Sequence, residues 1–192
     1  MKLPMPILGI LLPVALVLAA QPADAMQRIV LDPEACSISF VLDATLHKVH
    51  GVLKIKRSEI ELGSPYMFGE IVLDARLTAT GNKKRDRKMH AEVLLSEAWP
   101  EITFRAGKFQ GPEPAQGRAE LLLIGAFHVL GQAHHTEVPV VLEIDDDRIR
   151  VESEFTVPYV QWGLKDPSVF VLRVAKEVRV RVVLAGRLEM VE

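Results

Sequence analysis

A single cysteine, Cys36, stands in the 192-residue chain, so no internal disulfide can staple it and no C-x-x-C redox or zinc motif is present. The familiar catalytic signatures are missing too: there is no G-x-S-x-G elbow, no phosphate-binding P-loop and no H-E-x-x-H. Charge of one sign is scarce. A formal net charge of −2 gives no electrostatic reason to expect nucleic acid or an anionic membrane as partner. After the first twenty residues no apolar run is long enough to cross a bilayer.

That first run is itself informative. Lys2 precedes an apolar stretch from Ile7 to Ala20 and then Ala23-Asp24-Ala25, the layout of a secretory signal with an A-x-A cleavage site. The expectation is export to the periplasm, removal of residues 1–25 and a single domain over 26–192. A retained membrane anchor is the alternative, although Pro13 interrupts the run. Cys36 lies too far past the cleavage site to be a lipoprotein's first residue. It shares parity with Ile38, Phe40 and Leu42, which points to a buried thiol.

Most of the remaining chain alternates with a period of two. Ile38, Phe40 and Leu42 alternate with Ser37, Ser39 and Asp43, and Val49, Gly51, Leu53 and Ile55 with His50, Lys54 and Lys56. Ile71, Leu73, Ala75 and Leu77 make a third such set. Leu121, Leu123 and Phe127 lie in a run apolar at both parities, followed by Val138, Val140, Leu142 and Ile144. Ile149, Val151, Ser153 and Phe155, then Val178, Val180, Val182 and Leu184, complete the pattern. Many strands with turns between them, such as Asp145-Asp146-Asp147, favour antiparallel pairing with one wet and one dry face. Alternation alone leaves a sandwich and a closed barrel both open.

Two excursions interrupt the strands. After Thr80-Gly81-Asn82, Asn82 is a good N-cap for a helix starting at Lys83, with Met89, Val93 and Leu94 as its apolar stripe, and Trp99-Pro100 ends it. The second, Val157 to Ser168, is rich in aromatic and turn residues, including Trp162, and reads equally as a lid or a permanent plug on a barrel mouth. Gly107 to Gly117, with Pro112 and Pro114, reads as a surface connection.

The order strand, Thr80-Gly81-Asn82, Arg85-Asp86, short helix, Trp99-Pro100 and Ile102-Thr103-Phe104 resembles the signature of the YceI-like family of lipocalin-like, polyisoprenoid-binding periplasmic proteins. Leu31-Asp32-Pro33 followed by Ser37-Ile38-Ser39-Phe40, and Trp162-Gly163-Leu164 where the family commonly has Phe-Gly-Ile, extend the resemblance over nearly the whole mature chain. Lys88 stands where the family usually has His, and Val93 to Leu95 where it has an aromatic pair. The resemblance implies a closed antiparallel eight-stranded lipocalin-like barrel with one short α-helix. It also implies a binding protein without catalysis or cofactor, whose partner is an isoprenoid, an isoprenoid quinone or another long-chain lipid, with transient membrane contact and no nucleic acid.

On that reading the inward parity lines a ligand cavity. The expected wall is Ile38, Phe40, Leu53, Ile71, Leu73 and Leu121, continued by Leu123, Phe127, Leu142, Phe155, Trp162 and Val180. Arg85 and Asp86, being neighbours on a helix, cannot face each other. Each is expected to find its own structural partner, with Arg85 reaching a ligand head group as the alternative. The histidines offer a competing hypothesis. His47 and His50 sit where a strand begins, and His128, His134 and His135 flank a hairpin. A Gly131-Gln132 turn would set His128 opposite His135, and a one-residue slip opposite His134, giving two imidazoles that could share a transition metal. A metal-dependent protein using that hairpin, and a fully packed barrel with no ligand, are the rivals to the lipid carrier.

Overall fold

The computed structural model describes residues 26–63, 66–169 and 173–191, and the expected signal segment 1–25 lies outside them. Nine strands form one antiparallel sheet: β1 (Gln27–Leu31), β2 (Ser37–Asp43), β3 (Lys48–Gly63), β4 (Tyr66–Ala79), β5 (Glu101–Gln110), β6 (Gly117–Val129), β7 (Gln132–Asp145), β8 (Arg148–Val157) and β9 (Val178–Met190). The ladder runs from β2 round to β9 in chain order, and β2 pairs with both β3 and β9, so the sheet closes on itself. β1 adds no ninth position. It pairs with the far ends of β3 and β9 (Ile29↔Ile60, Ile29↔Leu188) in line with β2. β1 and β2 are therefore one barrel strand interrupted at 32–36, and the barrel is eight-stranded. Cys36 sits in that interruption, half-buried rather than in a strand, with its Sγ 3.5 Å from the Ala185 carbonyl and 3.4 Å from the Ala185 amide.

The connections sort by end. The one at 44–47, those at 80–100 and 130–131 and the one from β8 to β9 lie at one end, and those at 111–116 and 146–147 at the other, while 32–36 interrupts the wall between β1 and β2. β5 continues to Gln110, so the expected surface connection is confined to 111–116. The predicted turn after Asp145 is present, with Asp146 at φ 54° and its backbone N–H and C=O both bonded to the Gln116 side chain.

The core fills only the second end. Ile29, Ile60, Leu62, Leu121, Leu123, Val138, Val140, Leu142, Ile144 and Ile149 pack into one buried cluster, with Leu142 1% exposed. A smaller cluster at the first end joins Val129, Tyr159 and Leu164 to Val93, Leu94, Phe127 and Trp162. Phe127 belongs to both, its ring centroid 4.7 Å from Phe104, 5.6 Å from Phe155 and 5.6 Å from Trp162. On the outer face Arg57 and Arg105 bracket Glu70, while Lys56 and Arg57 hold Glu101.

Candidate ligand-binding cavity

Register decides what surrounds the space left at the first end. Phe40 stands opposite Gly51 and Val180, and Val180 opposite Phe155, which makes one level. One level deeper, Ile38 stands opposite Leu53 and Val182. Deeper again, Leu184 and Val151 meet Leu142 in the packed cluster. Above that packing lies a cavity of about 540 Å³ that opens at the first end. Gly51 is needed beside it: a Cβ there would lie 2.1 Å from the Phe40 ring, which covers the glycine.

Of the expected wall, Ile38, Phe40, Leu53, Leu73, Phe127, Phe155, Trp162 and Val180 line this cavity. Leu121, Leu123 and Leu142 do not. They are buried in the packed half, and Ile71 packs against that same cluster. Period-two alternation says which side chains point inward but not how deep they lie, and these four point inward below the cavity floor.

β4 departs from the expected parity. Leu73 is buried, but Leu77 is 57% exposed and Thr78 only 3%. The pairing to β3 shifts between Lys54↔Asp74 and Val52↔Ala79, an irregularity that turns Leu77 outward and Thr78 inward. Asp74 holds the irregular stretch by accepting from the backbone N–H and the guanidinium of Arg76 at 2.9–3.0 Å, and that bonding keeps its carboxyl below the usual range. The Ala75 N–H donates to the Pro100 carbonyl at 2.9 Å, tying the irregular stretch to the end of the first excursion. Thr78 thus lines the cavity with a buried hydroxyl that has no partner.

The first excursion is a helix, α1 (Lys83–Lys88), continued by a π-helical segment Met89–Leu94. Asn82 caps it as expected, its side chain accepting from the Lys84 and Arg85 N–H groups at 3.1 Å. The wider winding of the second segment carries Val93 and Leu94 onto the cavity, and Leu95 ends it in the left-handed region at φ 47°. Arg85 and Asp86 do find separate bonds, yet on one residue. The Arg85 guanidinium donates to the Thr80 hydroxyl (2.7 Å) and carbonyl (2.9 Å), while Asp86 accepts from the Thr80 N–H (3.0 Å) and hydroxyl.

The wall between β7 and β8 is laddered only from Asp145↔Arg148 to Val141↔Glu152. Pro139, which has no N–H to donate, follows, and the Ser153 hydroxyl donates to its carbonyl. Above that point the second excursion packs across the mouth. Trp162 stacks on His134 with centroids 4.7 Å apart and planes 6° apart, and Tyr159 donates its hydroxyl to the Ala175 carbonyl at 2.8 Å. Burial, aided by Asp166, pushes the Tyr159 hydroxyl up to about 12, so it stays a donor.

The histidine hairpin has a different register from either expectation. The turn is Leu130-Gly131, both residues at positive φ, which pairs His128 with Ala133 and His134 with Phe127. His128 and His135 thus share one face, and His134 points the other way, inward beneath Trp162. His47 lines the mouth, and His50 is exposed on β3. Among the described residues no three His, Cys, Asp or Glu side chains are grouped so as to hold a metal ion. Burial, with His128 nearby, lowers the His134 pKa, and its Nε2 is buried without a partner.

What the arrangement offers is a dry pocket with a polar lip. Its walls are aliphatic and aromatic, and its polar lining residues are Thr78, Thr80, Asn82 and the cations Lys84, Arg85 and Lys88 on the β4–α1 side, with His47 across the mouth. The volume falls within the roughly 300–1,000 Å³ of ordinary ligand pockets.

Comparison with known proteins agrees with this geometry. The YceI-like domain family matches residues 30–185. No curated protein matches the chain. Among solved structures, BcnA of Burkholderia cenocepacia superposes with a TM-score of 0.70 at 16% identity, over 82% of this chain and 99% of its own. A polyisoprenoid binding domain from Saccharophagus degradans, implicated in plant cell wall breakdown, gives 0.66 at 15% identity over 86% and 99%. The Campylobacter jejuni YCEI protein gives 0.59 at 9% identity over 74% and 86%. At these identities the similarity is one of fold.

Proposed function

The chain belongs to the YceI-like family, and from that membership and the shape of its interior we propose that it is a periplasmic carrier that holds a long-chain apolar amphiphile, a polyisoprenoid or isoprenoid quinone, in the open half of its barrel. The observation that carries the reading is the cavity of about 540 Å³ with apolar walls and polar side chains confined to one side and the lip. A tail entering it leaves water at a gain of ~25 cal/mol per Å² of apolar surface, which needs no specific polar contact along its length. The solved Saccharophagus domain, described as polyisoprenoid binding, shares this fold and lends support.

The test substitutes at the cavity's middle level. Val180→Gln sets an unpartnered amide among Phe40 and Phe155, at a cost of about 1–3 kcal/mol for the buried group. Protein purified without detergent, offered isoprenoids and analysed by lipid extraction and mass spectrometry should retain ligand as wild type and several-fold less as Val180→Gln. Lys54→Gln on the outer face should match wild type, and a thermal melt checks that both variants are folded. A folded wild type that takes up no isoprenoid, or equal retention in all three, would falsify the carrier reading in favour of a barrel that acts without a ligand.

A further inference from the structure

The chain's net charge of −2 conceals a separation of charge along the barrel. The connections at the cavity end carry eight Lys or Arg against five Asp or Glu, whereas those at the packed end, 111–116 and 146–147, carry Glu113, Asp146 and Asp147 and no Lys or Arg. At the mouth itself the asymmetry is sharper: among the described residues Lys84, Arg85 and Lys88 line it and no acidic residue does. Lys84 and Lys88 are within ion-pair distance of no carboxylate among the described residues; Glu92, which also feels the Lys88 charge, is bonded to Lys165 at 2.6 Å.

Apolar side chains protrude beside these cations. Leu46, at the tip of the β2–β3 turn, is 76% exposed, and Val169, just past the second excursion, is 51% exposed; both border the cavity opening. Trp99, 44% exposed, lies against Gly131 at the same end. Exposed apolar tips with an indole, ringed by cations, are the composition that settles into the headgroup region of a bilayer. The packed end also exposes apolar side chains, among them Met26 and Met190, but there Glu113, Asp146 and Asp147 in the connections offset Arg148 and Arg187 on the adjoining strands, so an anionic surface is drawn to it less than to the cation cluster at the mouth. Charge therefore selects which end approaches.

We infer that the cavity end is a membrane-docking face for bilayers bearing anionic phospholipid, with Leu46 and Val169 inserted at the headgroup level and Lys84 and Lys88 on lipid phosphates. The end-to-end charge separation orients the barrel mouth-first, so that the opening faces the bilayer directly. The mouth is then sealed from water by the lipid itself, and an amphiphile can pass between bilayer and barrel without crossing the aqueous phase. This inference rests on the distribution of charge and exposure, and holds whatever molecule the barrel contains.

The experiment is vesicle co-sedimentation with protein beginning at Met26, since the strands from 27 onward close the barrel by themselves. Vesicles of phosphatidylcholine alone are compared with vesicles containing phosphatidylglycerol, at low salt and at high salt. Binding should require phosphatidylglycerol and fall with salt. Lys84→Glu/Lys88→Glu should weaken it more than tenfold, given roughly fivefold per cation near such a surface. Leu46→Ser should weaken it several-fold, whereas Glu34→Lys, in the interruption between β1 and β2 away from the mouth, should not weaken it. Thermal melts establish that each variant is folded. Equal binding to neutral vesicles, no binding to either, or a double-lysine variant that binds like wild type overturns the docking face. Isoprenoid retention measured on the same preparations separates the two ideas: docking lost with ligand still held sinks only this inference, and docking kept by a barrel that takes up no isoprenoid sinks only the carrier reading.

Discussion

Among the described residues two buried side-chain polar atoms have no partner, and they differ in what their positions imply. The Thr78 hydroxyl looks into the cavity, where a ligand's polar atom would complete it. His134 Nε2 is enclosed where its ring stacks on Trp162, and His134 is not among the residues that line the cavity. Desolvation there disfavours the imidazolium, as does His128, so the folded pKa lies below the ordinary 6.5. The sign follows: the unfolded chain binds this proton more readily, so the neutral ring's contribution is complete above about pH 6.5 and is lost as pH falls through and below that value. Melting temperature should therefore drop between about pH 7.5 and 5.5, and His134→Phe, which keeps a ring against Trp162, should flatten that slope. A variant with the wild-type slope would assign the acid sensitivity elsewhere. This residue was visible in the sequence only as a candidate metal ligand, because a leucine in the left-handed region at the turn, Leu130, is rare enough that a Gly-first turn is the natural expectation.

At the scale of elements, α1 is a six-residue helix too short to be stable alone, and its attachment to the barrel decides whether it forms. Asn82 supplies the cap that the sequence promises, whereas Thr80 supplies the anchor. One threonine accepts from Arg85 and donates to Asp86, so the helix is clamped to the end of β4 through two side chains of opposite charge. Asp86→Ala leaves the Thr80 N–H and hydroxyl without their acceptor and should cost about 1–3 kcal/mol in denaturant unfolding. Faster hydrogen exchange confined to residues 80–95 would localise the loss to α1 and its π-helical continuation. An unchanged midpoint and exchange pattern would contradict the clamp. The cap and the Trp99-Pro100 stop are local chemistry and legible as such. The π-helical winding after Lys88 and the irregularity that exchanges Leu77 for Thr78 are not, because both are fixed by pairing and packing against β3 and the second excursion rather than by the residues themselves.

On the scale of the whole molecule, the barrel is packed at one end and hollow at the other, and alternation in the sequence is the same in both halves. Phe40, Leu53 and Val180 follow the same rule as Leu121, Leu123 and Leu142. What separates them is their level in the staggered ladder, which depends on long-range register. The eight-stranded closure came from family resemblance, since alternation alone allows a sandwich. The division makes stability unequal along the axis. Leu142, 1% exposed and surrounded by the packed cluster, should lose about 2–5 kcal/mol on change to Ala, because truncation opens a void among side chains that collapse only partly. Leu53 already borders empty space, so Leu53→Ala enlarges an existing cavity and forfeits fewer contacts; in ligand-free protein it should cost less than half as much. With isoprenoid bound the order is kept but the gap narrows, because the tail supplies the atoms that Leu53 then touches and binding adds its own stabilisation. Denaturant midpoints of the two variants, each measured with and without lipid, read both effects. Equal costs in the ligand-free protein would mean that the mouth half closes on itself in solution and that the open space is not the resting state of the barrel.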